Sequence, residues 1–350
     1  MHELRNLKVN SPEQTQNQMT ASVVIASRNR SEDLRRCLRS LRNMKDVRGE
    51  WQVIVVDNNS NDATRDVVLS FDDGGTPPVL YFYEGRCGKS AALNTGIAQS
   101  SGAIVAFTDD DCLPDQHWLH NLLIEFEIDP DLALLGGRVE LYDERDQKVS
   151  LVQCNQRTDI SPERIFRALF GGPSDTAEYG SVIGANMAVR RSAFSRLGLF
   201  DVFLAPGSTR IALAVEDSDF VYRASQAGLK IGYSPEPLVY HNHGRRTDTQ
   251  ADATIVGYNR GRGAFYFKHC LSGDLRVAKA AYWELKGYCK TLCSRKTGRA
   301  KRRNIWRIIR ALSAGFRTQF VTLGCDRVGM PLGVHASELA TGESIDARGR

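Results

Sequence analysis

Several patterns that identify broad protein classes are missing from this 350-residue sequence. No apolar run approaches the roughly 18 residues of a membrane-spanning helix, and residues 1–20 have no apolar core, so we expect no signal peptide. None of the eight cysteines forms a Cys-x-x-Cys pair, which argues against a structural zinc site. We therefore expect reduced thiols and a cytoplasmic location.

The sequence also lacks the two common glycine-rich phosphate motifs. Gly85–Ser90 resembles the end of a phosphate loop, but the position five residues before Gly88, which that loop requires to be glycine, is Tyr83. No Gly-x-Gly-x-x-Gly follows the first predicted strand, which weakens the case for a dinucleotide-binding protein.

Positive charge is concentrated in one part of the chain. Between Arg260 and Arg317, 16 Lys and Arg residues stand against two acids, a balance of +14, so a chain with a net charge of +5 carries −9 elsewhere. A basic C-terminal segment on an acidic body predicts contact with a polyanion or an anionic membrane surface. The sequence contains no recognised nucleic-acid module, so nucleic acid is not an expected partner.

The first half of the chain alternates between predicted strands and helices. Strands are predicted at 22–26, 51–56 and 103–107, and helices at 32–44 and 90–99. Ser31 is the predicted N-cap of the first helix. This alternation predicts an α/β fold with an open, mostly parallel, Rossmann-like central sheet flanked by helices.

Polar clusters follow three of these strands. Ser27–Asn29, Asp57–Asn59 and Asp109–Asp111 each lie at the carboxyl end of a strand, where α/β sheets bind ligands. We therefore predict a nucleotide pocket at this edge of the sheet. Because three adjacent carboxylates repel one another, the third cluster favours a divalent cation, with a solvated acidic turn as the alternative.

The second half of the chain is less regular. Strands are predicted at 187–189, 231–234 and 238–240, and a helix at 215–227. Glu216, Asp217 and Asp219 fall in the first turn of that helix, where the helix dipole favours carboxylates whatever their function. His241–His243 follow the last predicted strand.

Six segments resemble, in order, the motifs of the family 2 inverting glycosyltransferases. They are 23–30, 53–62, 88–96, 107–114, 184–191 and 216–220. The resemblance spans about 21–244. It implies the GT-A fold over 21–250, with a nucleotide-binding half at about 21–115 and an acceptor half at about 116–250.

The resemblance implies a nucleotide-sugar site in the first polar clusters. Ser27 and Arg28 match positions that meet the nucleotide in this family. Asp57 matches the carboxylate that recognises the base, and Asn59 is assigned to the same nucleotide-sugar site. Lys89 matches a position near the nucleotide, where its charge would suit a diphosphate. Asp57 could instead cap a turn, as aspartate often does. Uracil, guanine and thymine all offer a ring N–H, so the base is open, with a UDP-sugar as the expected donor.

A metal site is implied as well. Asp109 and Asp111 match an Asp-x-Asp motif in which Asp111 binds Mn²⁺ or Mg²⁺ and Asp109, also a candidate ligand, lies nearer the ribose. Asp110 stands where the family often has a small residue. The extra charge leaves open which carboxylates bind the metal, and Asp110 is assigned to the nucleotide-sugar site. His241 matches a histidine that often completes the metal site, with His243 as the alternative; surface histidines are the plainer interpretation of both.

The resemblance names Asp217 as the catalytic base, with Glu216 as the second choice. The base accepts the proton of the acceptor hydroxyl, which becomes acidic in the transition state, while a divalent cation stabilises the leaving diphosphate. One in-line displacement inverts the anomeric carbon. The basic pair Arg190–Arg191 could be solvated or could hold phosphate.

Residues 251–323 are predicted to form a basic helical extension. Apolar residues recur every three or four positions from Ile305 to Phe320, among arginines and with Trp306 at the margin, which describes a basic amphipathic helix. This helix could bind the inner face of an anionic membrane or pack on the catalytic domain, and the sequence leaves both open. We expect residues 1–20 to be flexible and 324–350 to be disordered.

The expected function is metal-dependent, inverting transfer of a sugar to a hydroxyl of a glycan or a lipid-linked acceptor, in polysaccharide biosynthesis. One alternative is a nucleotidyltransferase, which should carry a glycine-rich loop after the first strand, whereas Ser27–Ser31 contains no glycine. The other is a non-catalytic scaffold on the same fold, against which the intact acidic pairs count.

Overall fold

A computed structural model describes residues 19–149, 151–165, 181–207, 213–294 and 297–325. The tails that were expected to be flexible therefore lie, apart from a few residues, outside the described part of the chain. The side chain of Phe320 also lies outside it.

The described chain is an α/β structure followed by three long helices. The strands are β1 Ala21–Ser27, β2 Trp51–Asp57, β3 Val79–Tyr83, β4 Ile104–Phe107, β5 Cys112–Pro114, β6 Leu132–Leu141, β7 Thr158–Asp159, β8 Met187–Arg190 and β9 Lys230–His241. The α-helices are α1 Ser31–Arg42, α2 Thr64–Leu69, α3 Lys89–Gln99, α4 Trp118–Ile128, α5 Phe194–Leu197, α6 Glu216–Gln226, α7 Asp248–Leu271, α8 Leu275–Cys293 and α9 Arg299–Cys325.

These strands form one sheet in the order β3-β2-β1-β4-β8-β6-β9-β5, with β7 paired to β9. Strands β1 to β4, β6 and β9 run in one direction and β5, β7 and β8 in the other, which confirms the mostly parallel sheet. Strand β2 is buried along its whole length, as its continuous apolar run predicts for a strand covered on both faces. The carboxyl ends of β1, β2 and β4 therefore meet at one edge.

Two local predictions were wrong. Ser31 is the first residue of α1 and Arg30 occupies the N-cap position; the Ser31 amide donates instead to Asp62 across the loop, at 2.9 Å. The two short strands predicted near the end of the domain are one strand, β9. Its pairing with β6 shifts register where Pro235 and Pro237 lie, so the prolines produce an irregularity within the strand instead of ending it.

The C-terminal extension is helical and packs against the rest of the protein. Ile305 and Leu312 of α9 are only 6% exposed, whereas Trp306 and Phe316 are 53% and 46% exposed. Helices α7 and α9 approach very closely, since a Cβ added to Gly263 would lie 2.0 Å from the carbonyl oxygen of Leu312. Ile305 and Leu312 of the predicted apolar stripe are therefore used in packing, whereas Phe316 stays largely exposed.

Candidate active site

The acidic loop at 108–111 connects β4 to β5 and meets the end of β9. Strand β5 pairs antiparallel with β9 so that Cys112 lies opposite His241. This register brings His241, far away in the sequence, beside the preceding residue Asp111. The distance between His241 Nε2 and Asp111 Oδ1 is 3.2 Å, and both side chains are 6% exposed.

The residues around this contact fit a divalent cation. Ligand atoms of Asp109, Asp111, Cys112 and His241 all lie within 4.8 Å of one another. His241 Nδ1 is buried without a hydrogen-bond partner among the described residues, and the buried Asp111 Oδ1 has only its 3.2 Å contact with His241 Nε2. Burial raises the pKa of the Cys112 thiol, so the carboxylates and the imidazole are the better ligands for a hard cation such as Mn²⁺ or Mg²⁺.

Asp110 turns away from this cluster toward the loop after β1. Its Oδ2 accepts a hydrogen bond from Ser27 at 2.8 Å, and its Oδ1 lies 3.1 Å from Arg30 Nη1. The same Arg30 nitrogen lies 2.7 Å from Asp111 Oδ2. Burial raises the pKa of Asp110 to about 6, and Arg30 opposes that rise. The extra carboxylate is thus held by partners from β1 and its loop.

Lys89 connects the acidic loop to helix α6. Its ammonium group contacts Asp109 directly and lies 3.9 Å from Glu216 Oε1. Gly88 precedes Lys89 and positions it. The φ of Gly88 is 132°, a backbone conformation that residues other than glycine rarely adopt, and its amide donates a hydrogen bond to Asn58 Oδ1 at 2.8 Å. Lys89 is therefore a fixed cation between two sets of carboxylates.

The two candidate bases at the start of α6 have different surroundings. Asp217 faces the cavity described below, and its Oδ2 accepts a hydrogen bond from the Gly184 amide at 3.0 Å. Glu216 is buried, and burial, reinforced by repulsion from Asp217, raises its pKa to about 8, although Lys89 opposes the rise. Because the Lys89 ammonium contacts Asp109 more closely, burial dominates at Glu216.

The candidate nucleotide residues divide into two groups. Ser27, Arg28 and Asn58 line the cavity. Asp57 does not: its two oxygens accept hydrogen bonds from the Ser60 amide at 2.9 Å and from the Tyr81 hydroxyl at 3.0 Å. Asn59, which accepts a hydrogen bond from the Tyr83 hydroxyl at 2.9 Å, is not a lining residue either. Turn capping by Asp57 is therefore present, and contacts of Asp57 and Asn59 with the base stay predictions.

Other candidates lie away from the cavity. Arg190 donates to the carbonyls of Leu132 and Phe126, and Arg191 donates to the carbonyl of Gly102. Both side chains are half-buried, and neither lines the cavity. His243 turns toward Asp146, 3.4 Å away, so His241 alone of the two histidines joins the acidic cluster.

A single cavity of about 1320 Å³ connects these groups. Asp109, Asp111 and His241 line one part of it, and Asp217 lines it as well. Other lining residues come from the extension, among them Tyr258, Arg262 and Tyr288. The arrangement places a cluster suited to a cation, a lysine and a carboxylate around one space that can hold a ligand.

Known proteins match this chain in both sequence and fold. The sequence profile of Glycosyl transferase family 2 matches residues 22–198, just over half of the chain. The chain belongs to this family. Glycosyltransferase AglE of Haloferax volcanii is 36% identical over 225 residues, which cover 63% of this chain and 66% of that protein. A pre-mycofactocin glycosyltransferase of Mycobacterium tuberculosis is 33% identical over 225 residues and is covered over 42% of its length. The matched region thus spans less than two thirds of either relative.

The fold agrees with that assignment. The structure of S. aureus TarS 1–349 in complex with UDP-GlcNAc superposes with a TM-score of 0.57 at 16% identity, over 86% of this chain and 81% of that one. This member of family 2 therefore has the GT-A fold expected from its motifs. Within the described residues, no helix has the length and apolar character needed to cross a membrane.

Sequence reasoning missed several residues of the candidate site. Arg30 was part of a matched motif but received no role, although it binds two of the three loop carboxylates. Asn58, between two assigned positions, is the member of its cluster that lines the cavity. Arg245 lines it too, four residues after His241. A second arginine after β1 was the available signal for Arg30, whereas nothing in the sequence distinguishes Arg245 from Arg246.

Proposed function

We propose that this protein is a metal-dependent, inverting glycosyltransferase that moves a sugar from a nucleoside-diphosphate donor to a hydroxyl of a glycan or a lipid-linked acceptor. The observation that carries the proposal is that Asp109, Asp111 and His241 share one cavity with Asp217. Transfer of this kind needs a cation near the leaving diphosphate and a base near the incoming hydroxyl.

The chain's own residues account for the main requirements of the reaction. Asp109, Asp111 and His241 would hold Mn²⁺ or Mg²⁺, which supplies Lewis-acid stabilisation of the diphosphate when bound. Lys89 adds a positive charge beside Asp109. Asp217 is oriented by the Gly184 amide and would accept the proton of the acceptor hydroxyl as that oxygen bonds to the anomeric carbon.

The surroundings of Glu216 and Asp217 support Asp217 as the base. A general base must be ionised at the working pH and within reach of the substrate. Glu216 has a pKa raised to about 8 by burial and does not line the cavity. Asp217 lines it, so a single displacement with inversion can proceed from that side.

A UDP-sugar is the donor we propose. Asn58 can pair with a base or ribose through its amide, and Asp57 next to it keeps unused lone pairs after its two hydrogen bonds. The UDP-GlcNAc bound to S. aureus TarS, a protein of the same fold, supports a nucleotide-sugar donor.

We further propose that the protein attaches peripherally to the inner face of a membrane, consistent with a role in polysaccharide assembly. One face of α8 supports this attachment. Successive helical residues are rotated by about 100°, and on that basis one arc of roughly 100° around α8 carries Leu275, Lys279, Tyr282, Trp283, Lys286 and Lys290. Tyr282 and Trp283 are 57% and 53% exposed, and Lys286 Nζ lies 4.4 Å above the Trp283 ring. Lysines beside exposed aromatic rings suit an anionic lipid interface.

Isothermal calorimetry with UDP, GDP and dTDP, with and without Mn²⁺, tests the donor site. We expect metal-dependent binding of UDP that is lost in Asp111→Ala and kept in Asp72→Ala, an exposed carboxylate away from the cavity. Absence of nucleotide binding under every metal condition would overturn the transferase proposal and favour a non-catalytic scaffold.

A further inference from the structure

We propose that helices α7, α8 and α9 form the wall of an acceptor subsite, and that its ligand is an amphiphilic anion, a sugar joined through phosphate to an apolar chain. This inference rests on the proposed function, because it assigns the second substrate of the same cavity. It gives the extension a role in binding substrate that its basic, amphipathic pattern did not predict.

The size of the cavity leaves room for two substrates. Ligand pockets commonly have volumes of roughly 300–1,000 Å³, and this one has about 1320 Å³. The acidic loop and His241 occupy the part expected to hold the donor. Ile255 and Tyr258 of α7, Tyr288 of α8 and Ile308 of α9 line the cavity as well, so the three extension helices enclose space beyond that set of residues.

The lining outside the acidic cluster is suited to an apolar chain. Val152, Ile160 and Val182 from the catalytic domain line the same space as the apolar residues of the extension. Ile255 and Tyr258, one turn apart on α7, remain 46% and 41% exposed. At the edge of the cavity these two side chains offer an apolar surface that the chain of a ligand could cover.

The cavity also offers a cation that no acidic side chain neutralises among the described residues. Arg245 lines it, and its buried Nη1 makes no hydrogen bond within the described structure. Arg262, by contrast, is already bound to Glu284 at 2.9 Å and to Asn259 at 2.7 Å. Arg245 is half-buried, but a buried donor such as its Nη1 is costly to leave without an acceptor, and a phosphate oxygen would supply one.

These features define the chemistry of the acceptor. The hydroxyl oxygen of its sugar bonds to the anomeric carbon of the donor, the bond from that carbon to the diphosphate oxygen breaks, and the electron pair leaves with the diphosphate. The hydroxyl proton passes to Asp217. The acceptor's own phosphate would lie at Arg245, and its apolar chain along Ile255 and Tyr258.

Calorimetry with farnesyl phosphate, below its micelle concentration and with UDP and Mn²⁺ present, tests the subsite. We expect saturable one-to-one binding that is weakened about tenfold or more in Arg245→Ala, the loss of one charge-assisted hydrogen bond, and similarly in Ile255→Asp. Farnesol and inorganic phosphate should each bind more weakly. Leu271→Asp, an exposed position of α7 outside the cavity, is the control for Ile255→Asp and should bind normally. Trp283→Ala is measured alongside, because Trp283 belongs to the face of α8 that is proposed to contact membranes.

Binding of UDP with Mn²⁺ is measured on every variant, which shows that each is folded and separates the two proposals. If UDP binds and farnesyl phosphate does not, the acceptor assignment is wrong while the donor site stands. If only Trp283→Ala weakens the lipid, adsorption to α8 explains the binding and the subsite is refuted. If Arg245→Ala weakens UDP alone, Arg245 serves the donor diphosphate, which contradicts its assigned role.

Discussion

Replacing Asp219 with asparagine should destabilise the protein strongly, although this side chain does not line the cavity. Asp219 is completely buried at the junction between α6 and α7. Arg223 Nε lies 2.8 Å from Oδ2, and both Lys268 Nζ, at 2.8 Å, and His269 Nε2, at 2.9 Å, approach Oδ1. Lys268 also pairs with Asp201 at 2.8 Å. One carboxylate thus balances the charges of Arg223 in α6 and Lys268 in α7 and also contacts the His269 ring.

The expected magnitude follows from the burial of these charges. Removing one partner of a buried ion pair typically costs about 3–5 kcal/mol, because the other charge stays buried without compensation. Asparagine keeps the shape and one acceptor oxygen, and Asp201 still neutralises part of Lys268. We therefore expect the lower end of that range for Asp219→Asn, a loss of roughly 3 kcal/mol in the free energy of unfolding at pH 7.

The effect should depend on pH in one direction. Burial raises the pKa of Asp219, but the hydrogen bond with His269 and the charges of Lys268 and Arg223 outweigh it and hold that pKa well below its usual range. A carboxyl group with a lowered pKa in the folded state stabilises the protein fully above its unfolded pKa of about 4 and loses that contribution as the pH falls further. The difference between wild type and variant should therefore shrink below about pH 4.

Urea denaturation followed by circular dichroism at pH 7 and at lower pH measures both effects. Asp252→Asn is the matched control, because Asp252 also joins two helices, by a 2.9 Å ion pair with Arg307 in which both side chains are about half exposed. An exposed pair of this kind contributes about 1 kcal/mol or less. Equal losses in the two variants, or a loss in Asp219→Asn that does not change with pH, would refute this account of the junction.

Further changes test other parts of the structure. Asp217→Asn should lower the rate of sugar transfer at least about 100-fold, as loss of a general base does, with UDP binding retained; a rate near wild type in a transfer assay would exclude Asp217 as the base. Lys286→Ala should weaken binding to anionic vesicles roughly fivefold, about 1 kcal/mol for one charge near the surface, and unchanged co-sedimentation would argue against α8 as the contact. Gly263→Ala should lower the melting temperature, because the new Cβ would lie 2.0 Å from the carbonyl of Leu312. Gly287→Ala, where a Cβ meets nothing within 4 Å, should raise it slightly, and the reverse order would contradict the tight α7–α9 crossing.

The sequence predicted the candidate site best where a general rule of α/β folds applies, namely that ligands bind at the carboxyl ends of parallel strands. The carboxyl ends of parallel strands meet at one edge, so polar clusters after β1, β2 and β4 could be placed together before any contact was known. His241 was harder to place. Its position beside Asp111 depends on the antiparallel pairing of β5 with β9, a register between distant segments that local patterns do not encode.

Residues whose role depends on long-range packing could not be assigned. Asp110 adds a charge to the motif, and only the fold shows that Ser27 and Arg30 bind it. The apolar residues of α9 have the spacing of a membrane-binding helix and of a packing helix alike, and the close contact with α7 at Gly263 shows that part of the stripe is buried. Periodicity defines which face is apolar, but not what covers it.

The first turn of α6 shows how one local sequence can connect the extension to the reaction. Successive residues on a helix point roughly 100° apart, so Glu216, Asp217 and Asp219 face three different environments. Glu216 is buried near Lys89, Asp217 faces the cavity, and Asp219 is bound by Lys268 and His269 of α7. The helix that carries the proposed base is therefore held by the extension through a buried ionic cluster only two residues away. Since a shift of that helix would move Asp217, substitutions in α7 that disturb the cluster should lower the transfer rate as well as stability.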